Sequence, residues 1–409
     1  MKKSSIIIVV AFLSVFFVAN IIRYAYRAPR RHYSDFRVYY ATGERFLAHT
    51  DIYSRPDKTI TPFKYSPVFA MAVSPLSLLP KYQASLVFWM INFFIFLAIF
   101  WLSRELIGVR GLSDGQMIGV YFATFVMSLR FVLHVLDSGQ VNLLMLLLVL
   151  LSLYALQRRR LALSGAALAF SMLIKYMPAV FLPYFLWRRN YKLVLWTVVF
   201  LVAFCLLPAV VVGWENNLHY LMKWLPSIVH TSLDRESWFD EKNQSLIAMV
   251  LRLLVSNPIT GAAAAGLSFN QGLAAAGTAG AFIYAPLVLW KGKPGENVQL
   301  IDYGGLLFCM ALFNPNAWTT NFVVYIYVYM LVWYYLIKDG FRDKLTLIAA
   351  LVAFILSSWV SESVVGNSLQ YLLAKMSTVT LATLILMGVL FRLKFRRPAA
   401  LLVSRPEEI

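Results

Sequence analysis

The stretch YQASLVFWMINFFIFLAIFWLS, residues 82–103, decides the fold class of this chain. It contains no charged side chain and is long enough to cross the hydrocarbon core of a bilayer as a single helix. Similar apolar runs recur along all 409 residues, of which 60% are hydrophobic and 14% charged. A globular protein has about half apolar and a quarter charged residues. The sequence therefore predicts an all-α polytopic membrane protein and excludes a disordered chain, a secreted disulfide scaffold and a soluble cytosolic enzyme.

The apolar runs predict about twelve transmembrane helices, within a range of roughly ten to thirteen, in one integral membrane domain over residues 1–409. No small-residue cleavage site follows the first run, so we interpret it as a retained span rather than a signal peptide. The expected spans lie near residues 6–22, 82–103, 116–134, 140–157, 161–174, 177–187, 191–213, 270–290, 298–313, 317–337, 345–361 and 369–391.

The basic residues indicate an orientation for these spans. When the chain is threaded through twelve spans, the clusters at 104–110, 158–160, 188–192, 291–293, 338–344 and 392–397 fall on one side, which the positive-inside rule makes cytoplasmic. Both termini are then cytoplasmic, and we expect the polar face to point toward the periplasm or the cell exterior. These clusters also account for much of the net charge of +18, so no nucleic-acid partner is expected.

The first outer loop, residues 23–66, departs from this charge pattern because it carries nine basic residues on the face where few are expected. One explanation is a phosphate-bearing ligand. The other is that a long loop crosses the membrane regardless of its charge and meets anionic lipid head groups. The second large outer loop is expected at residues 214–245.

An amphipathic helix is predicted within the first outer loop. Apolar or small residues at positions 36, 39, 40, 43 and 47 follow a helical spacing, which is typical of a helix lying in the membrane interface. Asp35 stands at the start of this helix. It is either an N-terminal cap or a functional carboxylate placed just beyond the first span.

Polar clusters rich in amides fall on the same outer face. Amides and a carboxylate beside aromatic rings suit the hydroxyl groups of a sugar, although Asp-Ser-Gly and Asn-Pro are also common turn sequences. The candidate sugar or acceptor contacts are Asp137, Gln140, Asn142, Asn243, Gln244, Asn316 and Trp318.

Lys175 places a charge within the apolar run around residues 171–178. A lysine inside a membrane is costly enough to indicate a function, the alternative being that it snorkels to the head groups. The five histidines show no metal-binding spacing, so no metal is expected.

Five short motifs, in order along the chain, resemble those of glycosyltransferase family 87, which uses polyprenyl-phosphate sugars and has the C-type glycosyltransferase fold. They are Asp35-Phe36 with Tyr39-Tyr40 and Ile52-Tyr53, Phe63-Lys64-Tyr65-Ser66-Pro67, residues 137–142, Lys175 with Pro178, and Asn243-Gln244-Ser245-Leu246 followed by Arg252.

The resemblance implies a membrane hexosyltransferase, similar to polyprenol-phosphate mannosyltransferases, that acts on the outer face in cell-envelope glycolipid synthesis. Asp35 would be the general base of one inverting displacement from a polyprenyl-phosphate sugar, with mannose favoured, to a lipid or glycan acceptor. The leaving phosphate would be stabilised by Lys175, Arg37, Lys64 or Arg252. No cofactor is implied, the other partners being membrane lipids.

A transporter or flippase of a lipid-linked sugar would share this composition. The crowding of polar residues on one face favours the enzyme, since many transporters show inverted repeats with paired broken helices.

Overall fold

A computed structural model describes residues 3–31, 33–54, 61–232, 235–255, 268–289, 298–360 and 362–395. All regular secondary structure within these ranges is helical, which confirms the predicted fold class. Some of the basic residues of the predicted loops lie outside the described residues, at 55–58, 291–293 and 396–397.

The α-helices are numbered here in chain order. They are α1 (Lys3–Arg31), α2 (Ser34–Leu47), α3 (Pro67–Val73), α4 (Lys81–Ile107), α5 (Asp114–Ser138), α6 (Asn142–Gln157), α7 (Leu161–Ile174), α8 (Phe181–Trp187), α9 (Tyr191–Leu206), α10 (Ala209–Val212), α11 (Trp214–Ser232), α12 (Arg235–Phe239), α13 (Leu246–Leu254), α14 (Phe269–Leu289), α15 (Val298–Leu312), α16 (Tyr325–Lys338), α17 (Lys344–Phe354), α18 (Glu362–Lys375) and α19 (Thr378–Phe395). Short 3₁₀ helices lie at Ser74–Leu78, Met177–Val180 and Thr319–Val324, and Ile355–Trp359 forms a π-helical turn.

Six helical segments of the described chain are long and apolar enough to cross a membrane, or up to seven if a bent pair at Lys344–Trp359 and Val364–Lys375 counts as one span. Shorter apolar helices stand at most of the remaining expected positions, including Asn142–Gln157 and Leu161–Ile174. The protein is therefore a polytopic membrane protein, and the number of twelve spans stays a prediction.

The last expected span, 369–391, is wrong in its first part. Ser377 adopts a left-handed backbone with φ of 58°, and its N–H bonds to the carbonyl of Ala374, so α18 ends at Lys375. The final apolar helix begins only at Thr378. Residues 369–375 share the apolar composition of the span, but the turn assigns them to the preceding helix.

The helices form two compact units. The first comprises residues 1–102, 132–178 and 190–231. Within it α6, α7 and α9 pack closely, and a Cβ atom on Gly165 would come within 2.6 Å of Cβ of Trp196. Small residues at such crossings allow two membrane helices to approach.

Helix α11 belongs to the first unit and is amphipathic. Its buried Trp224 packs against Val68 and Leu173, while Trp214 and Met222 are exposed. The hydroxyl of Tyr220 donates a hydrogen bond of 2.6 Å to the carbonyl of Thr50. The segment expected as a second outer loop, residues 214–245, is thus largely helical. Helix α11 within it contacts both the first outer loop and the end of α7.

The second unit comprises residues 103–131, 179–189 and 232–409. A buried ion cluster joins three of its helices. Both carboxylate oxygens of Asp302 in α15 are engaged, Oδ1 by Lys394 of α19 at 2.6 Å and Oδ2 by Arg188, just after α8, at 2.8 Å. Tyr184 of α8 donates a further hydrogen bond of 3.0 Å to Oδ2. Asp302 and Lys394 are fully buried, so each charge has the partner that burial requires.

Candidate active site

The start of α2 positions Asp35. The predicted helix is present, begins at Ser34 and buries Phe36, Tyr39 and Phe46 on one face. Asp35 is its second residue, whereas the N-cap position belongs to Tyr33, which forms no capping hydrogen bond through its side chain. The interpretation of Asp35 as an N-terminal cap is therefore wrong, and its carboxylate is available for other contacts.

The loop between α5 and α6 lies directly against the start of α2. Gly139 in this loop has φ of +70°, and a Cβ atom there would come within 2.8 Å of the Tyr33 ring and 3.0 Å of Cβ of Phe36. A side chain at this position would meet both an unfavourable backbone conformation and an occupied space. The close approach places the next residue, Gln140, beside Asp35.

A chain of side-chain hydrogen bonds joins Asp35 to Lys175. Nε2 of Gln140 donates to Oδ2 of Asp35 at 3.3 Å, and Nδ2 of Asn142 donates to Oε1 of Gln140 at 3.0 Å. Nζ of Lys175 donates to Oδ1 of Asn142 at 2.5 Å. Ser34 also donates to Oδ2 of Asp35, at 3.4 Å. Both bonds to the carboxylate therefore reach Oδ2, so among the described residues Oδ1 is left to accept a proton.

Lys175 occupies the break after α7. The helix ends at Ile174, Lys175 is extended with φ of −144°, and Pro178 in the following 3₁₀ helix has no N–H with which to continue an α-helix. The backbone N–H of Ser66 bonds to the carbonyl of Leu173 at 3.4 Å, which ties the end of the first outer loop to this break. The charge of the exposed Lys64 consequently acts on Lys175. Lys175 therefore feels both the carboxylate of Asp35 and the charge of Lys64.

Burial raises the pKa of the Asp35 carboxyl above its usual range, and this rise is partly offset by the charge of Lys175 and by the hydrogen bond from Gln140. Asp51, another carboxylate of the first outer loop, has a pKa below its usual value. Burial would raise its pKa too, but a 2.6 Å ion pair with Lys223 and other contacts outweigh that effect and hold the pKa low. A carboxylate with a raised pKa is the stronger proton acceptor, which favours Asp35 over Asp51 as a base.

Three further charged residues of the first unit, Asp137, Arg37 and Glu44, differ in their surroundings. Asp137, a candidate sugar contact, forms an ion pair with Arg23 of α1, a partner that the sequence did not indicate. Arg37 is half-buried, and its Nε has no hydrogen-bond partner in the described part of the chain. Glu44 is exposed on α2.

Tyrosines surround the carboxylate, a feature that spacing alone did not assign to the site. The charge of Asp35 acts on Tyr33, Tyr39 and Tyr65. The hydroxyls of Tyr39 and Tyr65 are hydrogen-bonded to each other at 2.9 Å, and Tyr53 donates to the carbonyl of Tyr65 at 2.8 Å. Aromatic faces beside a carboxylate and amides form a surface that suits a sugar ring.

A family model described as glycosyltransferase family 87 matches residues 63–315, more than half of the chain. The chain belongs to glycosyltransferase family 87. No curated protein matches it. As a member of this family with apolar helices of membrane-spanning length, the protein is a membrane glycosyltransferase, which confirms the family that the sequence motifs resembled.

The matched segment of family 87 includes Gln140, Asn142 and Lys175 but begins after α2. Asp35 and Arg37 therefore lie outside it, as do Asn316 and Trp318. The role of Asp35 as a base stays a prediction.

The remaining candidate residues of this family 87 chain belong to the second unit. Asn243 is buried, and its amide is fully used. It donates to the carbonyls of Ser237 and Pro315 at 2.9 and 2.7 Å and accepts from the N–H groups of Ser245 and Ala317 at 3.0 and 3.1 Å. The contacts favour a structural role for Asn243, and its role in sugar binding stays a prediction.

Gln244 and Arg252 are also engaged within the second unit. Gln244 donates to the carbonyl of Ala374 at 2.9 Å and accepts from the N–H of Val379 at 3.2 Å. The buried Arg252 donates to the carbonyls of Asp240 and Asn243 at 2.6 and 2.7 Å and to the hydroxyl of Ser377 at 2.6 Å. These contacts hold the start and end of α13 in place.

Asn316 and Trp318 lie in the turn after α15. Oδ1 of Asn316 accepts a hydrogen bond of 2.5 Å from Ser237, and the half-buried Trp318 precedes the 3₁₀ helix Thr319–Val324. The sequence predictions thus separate into a cluster around Asp35 in the first unit and a set of structural contacts in the second.

Proposed function

We propose that this membrane glycosyltransferase transfers a hexose, mannose being favoured, from a polyprenyl-phosphate donor to a hydroxyl group of a lipid or glycan acceptor on the outer face of a bacterial inner membrane. The observation that carries the proposal is the hydrogen-bonded chain from Asp35 through Gln140 and Asn142 to Lys175. It joins a carboxylate that can accept a proton to an ammonium group that can hold a phosphate.

In the proposed reaction the acceptor hydroxyl gives its proton to Oδ1 of Asp35 while its oxygen attacks the anomeric carbon of the sugar. The bond between that carbon and the phosphate oxygen breaks, the electron pair leaves with the polyprenyl phosphate, and the anomeric configuration inverts. The raised pKa of Asp35 supports this role, because it brings the proton affinity of the base closer to that needed near neutral pH.

Lys175 is the proposed contact for the phosphate that leaves. Its hydrogen bond to Asn142 fixes the ammonium group, and Lys64 adds a second positive charge. Positive charge aimed at the leaving oxygen stabilises the negative charge that develops there in the transition state, and this needs neither metal nor cofactor. Arg37 is a further candidate through its unpaired Nε, whereas Arg252 is assigned to packing because its guanidinium holds α13.

For the sugar itself, the proposal uses the amides of Gln140 and Asn142 together with the tyrosines around Asp35. Asp137 contributes indirectly, since its ion pair with Arg23 holds the loop that carries Gln140. The proposal assigns structural roles to the candidate sugar contacts of the second unit, which are Asn243, Gln244, Asn316 and Trp318.

The proposal is tested by incubating the purified protein with polyprenyl-phosphate [¹⁴C]mannose, or with the corresponding glucose and galactose lipids, and extracted bacterial lipids. Chromatography measures transfer of the label and release of polyprenyl phosphate. We expect a new labelled lipid or glycan with one donor, and transfer reduced by about 10² to 10⁴ in Asp35→Asn. Movement of intact donor across proteoliposome membranes, without bond cleavage, would instead identify a flippase, and it should then be insensitive to Asp35→Asn.

A further inference from the structure

Arg130 is a cation inside a candidate membrane span, and the proposed reaction does not use it. It lies in α5, eight residues before the end of that helix at Ser138. At 1.5 Å per residue, this places it about 12 Å from the helix end. In the sequence it is the one charged residue of the run FVMSLRFVL at residues 125–133. Helix α5 is long and apolar enough to span a membrane, and ionisable residues within a span mark functional sites by default.

No carboxylate forms an ion pair with Arg130 among the described residues. Its one described hydrogen bond runs from Nη1 to the backbone carbonyl of Ser357. A guanidinium group has five N–H donors in a planar fork, so this bond uses only part of its capacity. The half-buried side chain therefore presents a charge for which the described residues supply no carboxylate.

The partner carbonyl belongs to the π-helical turn Ile355–Trp359. A π-turn frees carbonyl groups from the regular α-helical pattern and is frequent at functional sites. The next residue, Ser358, donates a hydrogen bond of 3.1 Å to the carbonyl of Met127 in α5. Two bonds thus hold the turn against α5 in the second unit and fix the guanidinium of Arg130 from one side.

The same elements carry apolar side chains that face outward. Phe122 of α5 is 57% exposed, and Ile355 and Trp359 of the π-turn are 52% and 56% exposed. Such side chains on segments that can span a membrane suit the hydrocarbon chains of lipids, and a tryptophan at the end of a span is typical of the head-group level. A water-soluble anion has no comparable reason to enter here.

We propose that Arg130 and the π-helical turn Ile355–Trp359 bind the phosphate group of a lipid, whose hydrocarbon chain lies along Phe122 and Ile355. The carbonyl of Ser357 orients the guanidinium group of Arg130, and the remaining N–H groups of the guanidinium donate to the phosphate oxygens. The proposal does not depend on glycosyl transfer, because it concerns binding alone.

The test uses the full chain in detergent micelles with photoactivatable lipids that carry a diazirine in the acyl chain, followed by peptide mapping of the crosslinks. The probes are phosphatidylglycerol and diacylglycerol with the same chains, with unlabelled phosphatidylglycerol, undecaprenyl phosphate and inorganic phosphate as competitors. We expect phosphatidylglycerol to label α5 near Phe122 and the segment 351–359. Diacylglycerol should label them about tenfold less, since a charge-assisted contact contributes roughly a factor of ten.

Arg130→Gln should lose this labelling, Arg130→Lys should retain part of it, and Arg158→Gln, at an exposed arginine, should leave it unchanged. If Arg130→Gln does not fold, the competition experiment with the unaltered protein still tests the proposal. Unlabelled phosphatidylglycerol and undecaprenyl phosphate should suppress the labelling, and inorganic phosphate should not. Stronger competition by undecaprenyl phosphate than by unlabelled phosphatidylglycerol would identify a polyprenyl lipid as the occupant. Equal labelling by diacylglycerol, unchanged labelling in Arg130→Gln, or competition by inorganic phosphate as strong as by lipids would overturn the proposal.

Discussion

Gln140 donates a hydrogen bond of 3.3 Å to Oδ2 of Asp35, although the two residues are far apart in the sequence. The bond orients the carboxylate and lowers the pKa that burial raises. Because Asn142 and Lys175 continue the chain from Gln140, a change at either end is transmitted to the electrostatics of the base.

Asp35→Asn should reduce transfer by about 10² to 10⁴, because asparagine keeps the size of the side chain but cannot accept the proton. The protein should remain folded, since Asp35 is not the helix cap and is only half-buried. The variant is compared with Glu44→Gln, an exposed carboxylate of α2, and with Asp51→Asn. Near-normal turnover of Asp35→Asn with loss in either control would assign the base elsewhere.

The pH profile of kcat/KM should show an acid limb set by Asp35. The base acts only when it is deprotonated, so the rate falls as the pH drops below its raised pKa. Gln140→Ala removes a hydrogen bond to the charged form, which raises the pKa further and moves the limb to higher pH. If the acid limb stays in place or moves to lower pH in this variant, Gln140 does not act on the pKa of the base.

Lys175→Ala should raise the KM for the lipid donor by about tenfold, which corresponds to the loss of one charge-assisted contact with the phosphate. Its melting temperature serves as the measure of folding. Lys81→Ala, at an exposed lysine at the start of α4, is the matched control and should leave the KM unchanged. If Lys175→Ala leaves the donor KM unchanged too, the residue only anchors the chain at the head groups.

Gly139→Ala should lower the free energy of unfolding by roughly 1 to 3 kcal/mol, since the left-handed backbone and the contact with Tyr33 both oppose a Cβ atom. Activity should fall as well, because the loop that carries Gln140 is displaced. Gly115→Ala in α5 is the control. Its Cβ would meet no atom within 4 Å, and alanine is the better helix former. Equal melting temperatures for the two variants would contradict this account.

Local patterns predicted the helices well, and the site only in part. The spacing at positions 36 to 47 predicted α2, and the apolar runs predicted α6 and α7 closely, because helix formation depends on nearby residues. The contact between Asp35 and Gln140 depends on the packing of Gly139 against Tyr33, which no periodicity reveals. The break at Ser377 was missed for the same reason, as its left-handed backbone interrupts an otherwise continuous apolar run.

Asn243 gives the sharpest test between a sugar contact and a structural residue. Its amide satisfies two carbonyl and two N–H groups of the backbone, and the residue is fully buried. Asn243→Ala leaves these groups without partners, which costs about 1 to 3 kcal/mol or more and should lower the melting temperature by several degrees. The KM values for donor and acceptor, measured on the folded fraction, should stay unchanged.

The matched control is Gln83→Ala, at an exposed amide of α4, which should change neither quantity. A sugar contact at Asn243 would give the opposite result, a raised KM at an unchanged melting temperature.

Asn142→Ala provides the comparison within the proposed site. It is buried as well, but its amide bridges Gln140 and Lys175 rather than backbone groups. Its loss should therefore raise the donor KM and move the acid limb of the pH profile, which Asn243→Ala should not do.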